Sequence, residues 1–193
     1  MTTTTKNHIH YKLYKPYGII SQTHSNDKRQ ARKKRFLKEL FDFPEGIMPI
    51  GRLDEKSEGL LLMTTDGKLS DTINRSGIEK EYYAQVDGAI TDEAIAQLQN
   101  GLKIGLHGEK YNTQPCVAKK IEVPNLPDRN KKIRDSRHGP TSWISIILTE
   151  GKFRQVRKMT SAVGFPTLRL VRVRIGDIHI ENLQPGDVEK IAL

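Results

Sequence analysis

Alternation of hydrophobic and polar residues marks the predicted strands. In residues 8–15, HIHYKLYK, the side chains of Ile9, Tyr11 and Leu13 alternate with polar neighbours, which is typical of a half-buried strand. Pro16 and Gly18 follow directly and predict a turn. Further strands are predicted over residues 60–63, KEYYAQVDG at 80–88, TSWISIILTEGK at 141–152 and LRLVRVRIG at 168–176.

The predicted strand at 168–176 has a charged face and an apolar face. Arg172 and Arg174 alternate there with Val171, Val173 and Ile175. Because successive side chains of a strand point to opposite sides of the sheet, we expect the two arginines on one face and the aliphatic residues on the other.

Hydrophobic residues at helical spacing predict four short helices. The clearest is TDEAIAQLQNG at 91–101, where Thr91 is a suitable N-cap and Gly101 lies beyond the end. RQVRKMTSAVG at 154–164 is predicted to be helical and to stop at Gly164. Leu69 and Ile73 predict a third helix that ends before Gly77, and FLKELFD at 36–42 predicts a fourth.

The remaining segments fix the expected organisation. Residues 124–140 contain three prolines and many charges, which predicts a long surface loop of the kind that often carries function. Residues 1–7 are expected to form a disordered tail. Strands outnumber helices, so the fold class is α+β, with a mixed, mostly antiparallel sheet flanked by short helices. A chain of 193 residues suits one domain, or one domain with two lobes.

The charge of the chain points to a polyanionic partner. The net charge is +9, and basic residues cluster in three segments: 28–35, 129–137, and a group between Lys152 and Arg174. Any one of them could be a solvated face, but all three on one side would form a track for a phosphate backbone of RNA or DNA. No segment is apolar enough to span a membrane, and the single cysteine, Cys116, is consistent with a reducing cytoplasm.

Most familiar catalytic motifs are missing from the sequence. His8 and His10 form an HxH pair without nearby acidic or cysteine ligands, so no metal site is expected. Asp54 and Glu58 have the spacing of a paired-acid site for glycoside hydrolysis, but Ser57 and Gly59 argue against a continuous helix there. The sequence contains neither the G-x-S-x-G turn of serine hydrolases nor a glycine-rich phosphate loop.

Three segments in a fixed order resemble the motifs of a known family. They are GRLDEKSEGLLLMTTDG at 51–67, KEYYAQV at 80–86 and EGKFRQVRKMTSAVGFPTLRLVRVRIG at 150–176. Together they resemble the RsuA-type pseudouridine synthases, which isomerise uridine in ribosomal RNA. The resemblance runs from about His8 to the C-terminus and implies the pseudouridine synthase fold. Most relatives carry an S4-like RNA-binding domain ahead of the catalytic one. This chain enters its first strand at His8, which resembles the short RluE branch that acts on large-subunit ribosomal RNA.

The resemblance implies a catalytic role for three residues. Asp54 is the expected nucleophile, attacking either the ribose C1′ or the uracil C6. Arg157 is the expected bidentate partner that keeps this carboxylate charged in a closed pocket. Tyr82 is the expected active-site tyrosine, which stacks on uracil and passes a proton; its neighbour Tyr83 is the alternative, but Tyr82 shares a strand face with apolar residues. The reaction is redox-neutral and consumes no water, so no cofactor and no metal is expected.

The expected partner is ribosomal RNA, bound by a monomer through the basic surface of the catalytic domain. Arg52 is expected to occupy the space left by the everted base or to hold a phosphate. The other residues assigned to RNA contacts are Lys15, Lys33, Lys34, Arg35, Arg154, Arg172 and Arg174. Two alternatives stay open: a non-catalytic RNA-binding or ribosome-assembly module on the same fold, and a synthase that modifies small-subunit RNA.

Overall fold

The computed structural model describes residues 8–193, and the expected tail at 1–7 lies outside the described residues. Strands occupy β1 (His10–Lys15), β2 (Ile19–Ile20), β3 (Arg35–Phe36), β4 (Met48–Ile50), β5 (Glu58–Thr64), β6 (Lys80–Asp87), β7 (Lys103–Leu106), β8 (Glu109–Asn112), β9 (Val117–Ile121), β10 (Thr141–Leu148), β11 (Thr167–Ile175), β12 (Ile178–His179) and β13 (Val188–Ile191). Helices occupy α1 (Lys28–Lys33), α2 (Gly67–Arg75), α3 (Asp92–Asn100) and α4 (Gln155–Ala162), with 3-10 turns at Leu37–Glu39 and Ser136–His138.

One nine-stranded sheet organises the described chain. Its strands lie in the order β13-β1-β5-β11-β6-β10-β9, with β12 beside β11 and β4 beside β5. Within this sheet every neighbouring pair of strands is antiparallel except β5 and β11, which run parallel where Arg172 lies opposite Gly59. The prediction of an α+β fold with a mixed, mostly antiparallel sheet is confirmed. The division into two lobes stays a prediction.

Both faces of the sheet are covered. On one face Val156 and Met159 of α4 and Leu98 of α3 pack in a core cluster with β6 and β10. On the other face Ile73 of α2 packs in a second cluster with β5 and β11. The interpretation of β1 as half-buried is therefore wrong. Tyr14 is fully buried as well as Leu13, because β1 lies between β13 and β5 and both of its sides are covered.

Two of the predicted helices are confirmed, and each begins at a capping side chain. The Asp66 carboxylate accepts from the N–H groups of Lys68 and Leu69 at the start of α2, and the Thr91 hydroxyl accepts from the Ala94 N–H at the start of α3. The helix at 154–164 is also confirmed, as α4.

The helix predicted over residues 36–42 is wrong. The chain makes only a 3-10 turn there, in which the Glu39 carboxylate accepts from the Phe36 N–H at 2.9 Å. The helix lies just upstream, in the basic run, as α1. Its N-cap is Asp27.

A bulge in β11 lies between its two predicted arginines. Arg172 lies opposite Tyr82 of β6, but the register shifts before Arg174, which lies opposite Glu81. The apolar face is confirmed, since Val171, Val173 and Ile175 pack in one core cluster, and the shared face of the two arginines stays a prediction.

Several elements carried too little pattern to be predicted. They are the short strand β4, the β7–β8 hairpin, β9, β12 and the closing strand β13. Residues 122–140 form the predicted loop, with a single 3-10 turn at Ser136–His138. None of the helices in residues 8–193 combines the length and the apolar character that a bilayer crossing needs.

Candidate active site

Asp54 lies in a tight turn between β4 and β5. The turn is closed by the Ser57 N–H, which donates to the Asp54 carbonyl at 3.0 Å. On one side the Gly18 N–H donates to the Glu55 carbonyl at 2.8 Å. On the other side the buried Ser21 hydroxyl accepts from the Leu53 N–H and donates to its carbonyl. The backbone around Asp54 is thus fixed at three points, while its side chain is half-buried and borders the surface.

The side chain of Arg157 contacts the backbone of the Asp54 turn. One guanidinium nitrogen, Nη2, donates to the Lys56 carbonyl at 2.8 Å, and Nη1 donates to the Thr167 carbonyl at 3.2 Å. Within residues 8–193 no ion pair joins Arg157 to Asp54, so the expectation of a bidentate contact is wrong. The physical reason is that two of its three nitrogens already donate to main-chain carbonyls that hold the turn.

The charge of Asp54 nevertheless acts on Arg157. Burial lowers the pKa of Arg157 from its ordinary value, and the neighbouring positive charge of Arg154 lowers it further. The carboxylate of Asp54 acts in the opposite direction and raises the pKa of Arg157. Asp54 is therefore the neighbouring anion that compensates this half-buried cation.

Lys15 is a second cation beside Asp54, and it is fully buried. Its ammonium group donates to the Pro16 carbonyl at 3.0 Å and to the Ile19 carbonyl at 2.7 Å. Burial lowers the pKa of Lys15 to about 7, although the negative charges of Glu58 and Asp54 oppose the shift. The prediction that Lys15 contacts RNA is wrong, because no part of it is exposed.

The two adjacent tyrosines of β6 lie against different cores. Tyr82 is half-buried and packs against the cluster that contains Val156 and Met159 of α4, the helix that carries Arg157. Tyr83 packs against the cluster on the opposite face of the sheet, and burial raises its pKa. Tyr82 thus shares its side of the sheet with Arg157, which agrees with the choice of Tyr82; its catalytic role stays a prediction.

Two further arginines assigned to RNA contacts are engaged within the fold. Arg172 is buried and its Nε donates to the Leu60 carbonyl at 2.8 Å. Arg174 forms ion pairs with Glu79 at 2.9 Å and with Glu81 at 3.0 Å. The prediction for Arg172 is wrong, because its side chain is buried inside the sheet, where Nη2 has no hydrogen-bond partner among residues 8–193. Arg174 is half-buried and ion-paired, and its contact with RNA stays a prediction.

The remaining basic residues predicted to bind RNA are exposed. They are Arg52, Lys33, Lys34, Arg35 and Arg154. Lys34 forms an ion pair with Glu55 at 2.7 Å, which brings the basic helix α1 to the Asp54 turn. Arg154 precedes α4 with a φ of 53°, in the left-handed region that non-glycine residues rarely adopt. Their contact with RNA stays a prediction.

A basic groove begins beside Arg157. It has a volume of about 460 Å³, and its lining includes Lys103, Lys110, Arg154, Arg157 and Lys158. No carboxylate lines it. Such a groove suits a phosphate backbone rather than a neutral ligand.

The sequence did not indicate the ion pair that supports the turn. Glu58 begins β5 and accepts from Arg169 at 3.0 Å, and both side chains are buried. Arg169 also donates to the Pro127 carbonyl at 2.7 Å. Tyr17, whose ring lies 4.6 Å from the Arg129 guanidinium carbon, was also missed. The available signal was the position of Arg169 inside an otherwise apolar strand pattern, where a charge requires a buried partner.

The arrangement places a half-buried carboxylate beside two basic side chains. Asp54 sits on a rigid turn, two cations respond to its charge, and an aromatic side chain lies on the same side of the sheet. Carboxylates act as covalent nucleophiles in several enzyme classes. In residues 8–193 no group of three or more His, Cys, Asp or Glu side chains could hold a metal ion.

Comparisons with known proteins agree on one family. The family model described as RNA pseudouridylate synthase matches residues 9–162. "Ribosomal large subunit pseudouridine synthase E" of Vibrio parahaemolyticus is 39% identical over 183 residues, which cover 93% of this chain and 72% of that protein. The protein of the same name from Xanthomonas campestris is 42% identical and covers 90% of each chain. A crystal structure of a pseudouridylate synthase has a TM-score of 0.75 at 26% identity, covering 98% of this chain and 73% of that one.

Proposed function

This chain belongs to the RNA pseudouridylate synthase family, and on that premise we propose that it converts a specific uridine of large-subunit ribosomal RNA to pseudouridine. The observation that carries the proposal is the Asp54 turn. Arg157 binds its backbone, the buried Lys15 lies close enough to respond to the charge of Asp54, and Asp54 itself borders the surface. The large-subunit assignment is supported by relatives that carry that name at 39% and 42% identity over at least 90% of this chain.

The reaction moves the ribose from nitrogen to carbon. The C1′–N1 bond of uridine breaks, the uracil turns over, and a C1′–C5 bond forms; N1 gains a proton and C5 loses one. Asp54 acts as the nucleophile, and attack at C1′ and attack at C6 are both compatible with its position at the surface. A carboxylate divides the exchange into two moderate steps, since it can form a bond to carbon and then leave.

Positive charges around the turn keep Asp54 reactive. Desolvation by a bound uracil would favour the neutral acid, and nearby cations oppose this. Arg157 acts in two ways: its hydrogen bond to the Lys56 carbonyl fixes the turn, and its charge favours the carboxylate. Lys15, whose pKa burial lowers to about 7, adds a positive charge in the fraction of molecules that keep it protonated at neutral pH. Tyr82 stacks on the uracil and moves the proton.

The RNA docks on the surface of the catalytic domain itself. The target base must leave its stack, and Arg52, two residues before Asp54, takes the vacated space or holds a phosphate. The ion pair from Lys34 to Glu55 brings the α1 region to the turn, and the basic groove includes Arg157, which binds the turn. We place the protein in the cytoplasm as a monomer, where ribosomal RNA is available.

Replacement of Asp54 by Asn tests the proposal. We expect the wild-type protein to form pseudouridine in ribosomal RNA from a strain that lacks the gene, detected by chemical labelling and mapped by position. Asp54→Asn should abolish this activity while the circular dichroism spectrum and RNA affinity are kept. Asp71→Asn, which changes an exposed acid of α2 paired with Arg75, is the control and should stay active.

The outcomes separate the remaining alternatives. An Asp54→Asn variant that retains activity would falsify the catalytic assignment. A wild-type protein that binds RNA but modifies none would indicate a non-catalytic module on this fold. A modified site in small-subunit RNA would contradict the large-subunit assignment and leave the reaction in place.

A further inference from the structure

The loop at 122–140 passes next to the Asp54 turn. It connects β9 to β10 and has only a single 3-10 turn, at Ser136–His138. Two contacts nevertheless hold its first part in place, and both lead to segments that flank Asp54. A loop fixed in this way presents its side chains at a defined position.

The first contact is made by Pro127. Its carbonyl accepts from Arg169 Nη2 at 2.7 Å. Arg169 is itself in the buried ion pair with Glu58, which begins the strand that follows the Asp54 turn. The loop is therefore tied to β5 through a charged pair that cannot move without exposing an unpaired charge.

The second contact is made by Arg129. Its guanidinium carbon lies 4.6 Å from the centre of the Tyr17 ring. Tyr17 precedes Gly18, whose N–H donates to the Glu55 carbonyl within the Asp54 turn. Arg129 thus lies near both the Tyr17–Gly18 segment and the Glu58–Arg169 pair, whose charges act on it in opposite directions.

Arg129 is held without an anionic partner. Its Nε donates to the Lys131 carbonyl at 2.7 Å and its Nη2 to the Lys132 carbonyl at 3.4 Å. No carboxylate in residues 8–193 forms an ion pair with it. Arg129 and Arg154 are both close enough to Arg157 for their positive charges to lower its pKa, while Asp54 raises it. The one carboxylate that acts on Arg129, Glu58, is already paired with Arg169. The arginines here therefore favour a bound anion.

We propose that Arg129 binds a backbone phosphate of the RNA strand at the entrance to the Asp54 site, with Tyr17 as the positioning residue that holds its guanidinium plane. The inference rests on the proposed function and adds to it a loop residue outside the three motifs. With Nε and Nη2 donating to carbonyls of its own loop, Arg129 Nη1 makes no hydrogen bond within residues 8–193, and this end of the guanidinium is the one that would donate to a phosphate oxygen. The strand that enters the site would thereby be held within reach of Asp54.

Three variants test this assignment. Arg129→Gln removes the charge and keeps the length, Tyr17→Leu removes the stacking ring, and Arg137→Gln is the matched control. Arg137 is an exposed arginine of the same loop that pairs with Asp135. Single-turnover conversion and RNA affinity are measured for each variant over a series of salt concentrations. Thermal unfolding confirms that each variant is folded.

We expect Arg129→Gln to lower kcat/KM at least tenfold. The slope of log affinity against log salt should fall by about 0.7, the value of one phosphate contact on a single strand. Tyr17→Leu should lower kcat/KM severalfold and keep the slope, because the charge remains but its plane is no longer held. Arg137→Gln should match the wild type in both measurements.

Two results would overturn the inference. One is an Arg129→Gln variant with the wild-type rate and salt slope. The other is a loss of rate with an unchanged slope, which would indicate a structural role for Arg129. If the wild-type protein forms no pseudouridine on any RNA, the proposed function fails, and the salt slope of binding still decides whether Arg129 contacts a phosphate.

Discussion

Glu58 and Arg169 form a buried ion pair that joins the strand after the Asp54 turn to β11. Arg169 Nη2 lies 3.0 Å from Glu58 Oε1 and Nε lies 3.3 Å from Oε2, and their side chains are 2% and 8% exposed for Glu58 and Arg169. The pair links residues 111 positions apart in the sequence. It therefore couples the position of the candidate nucleophile to the C-terminal half of the sheet.

Removal of one partner of this pair should destabilise the protein strongly. Glu58→Gln leaves the Arg169 charge buried and uncompensated, and we expect a loss of about 3–5 kcal/mol in the free energy of unfolding. The double variant Glu58→Met/Arg169→Met removes both charges and should cost less than Glu58→Gln alone. Denaturant titration followed by circular dichroism measures both.

An exposed ion pair provides the control for this prediction. Arg75 and Asp71 pair on α2 with side chains that are 80% and 60% exposed. Asp71→Asn should change the free energy of unfolding by less than about 1 kcal/mol. Equal effects of Glu58→Gln and Asp71→Asn would contradict the role given to the buried pair.

Tyr82→Phe should slow the chemical step while RNA binding is retained. The ring that stacks on the uracil remains, but the hydroxyl that moves the proton is lost. Proton transfer of this kind contributes about 10²- to 10⁴-fold in rate, which single-turnover kinetics would detect. Tyr83→Phe is the matched control on the opposite face of the sheet and should leave the rate unchanged. A larger effect of Tyr83→Phe would reverse the assignment.

Lys15 should make the stability depend on pH. Burial lowers its folded-state pKa to about 7 from an ordinary value of 10.5. Between these values the unfolded chain binds more protons than the folded chain, so the free energy of unfolding rises with pH. Relative to Lys15→Met, the wild type should gain roughly 3 kcal/mol between about pH 7 and pH 10. Denaturant titrations at several pH values measure this gain.

Lys12 of the same strand provides the opposite case. Hydrogen bonds from Lys12 to Glu181 and Glu189 raise its pKa. Its contribution is complete below 10.5, the ordinary lysine value, and is lost only as the pH rises through the higher folded-state pKa. The difference between wild type and Lys12→Met should therefore stay constant from about pH 7 to pH 9. Parallel curves for wild type and Lys15→Met would show that Lys15 does not titrate in this range.

Gly59→Ala should destabilise the contact between β5 and β11. Gly59 has a φ of +103°, and an added Cβ would lie 2.3 Å from the Arg172 carbonyl oxygen and 2.8 Å from its nitrogen. We expect a loss of at least about 2 kcal/mol in the free energy of unfolding, from backbone strain and displacement of β11. Denaturant titration of the variant measures this loss.

Substitutions at two other glycines separate the cost of backbone strain from the cost of the steric clash with Arg172. Gly18 has a φ of +86° with open space around it, so Gly18→Ala should show the cost of strain alone, about 1 kcal/mol. Gly67 has open space and no strained backbone, so Gly67→Ala should be neutral or slightly stabilising. If Gly59→Ala costs no more than Gly18→Ala, the close approach to Arg172 is not a constraint.

Elements whose ends or faces are set by neighbouring residues in the sequence could be predicted. Thr91 and Gly101 bound α3 because both act through their own backbone neighbours, and β6 followed from its alternating side chains. The helix predicted at 36–42 failed because Glu39 closes a turn with Phe36 instead of continuing the helix. Structure that depends on adjacent residues could thus be predicted from the sequence. Which of two neighbouring segments forms the helix could not.

Charged residues inside the sheet could not be predicted from the sequence. Lys15 and Arg172 look like exposed strand positions, but both are buried; the Ile19 carbonyl accepts from Lys15, and the Leu60 carbonyl accepts from Arg172 Nε while Nη2 has no partner among residues 8–193. The motifs located Asp54, Tyr82 and Arg157 on elements that do come together. The hydrogen bond from Arg157 to the Lys56 carbonyl depends on how α4 sits against the turn, which no local pattern specifies.

The parallel contact between β5 and β11 has a consequence for synthesis of the protein on the ribosome. β5 and the turn before it emerge early, but the strand that completes their edge ends only at Ile175. Arg157, which binds the turn, follows Lys56 by 101 residues, and Arg169, the partner of Glu58, follows Glu58 by 111. A nascent chain that has not yet reached Arg169 therefore lacks the complete support of the turn, and we expect it to form no pseudouridine.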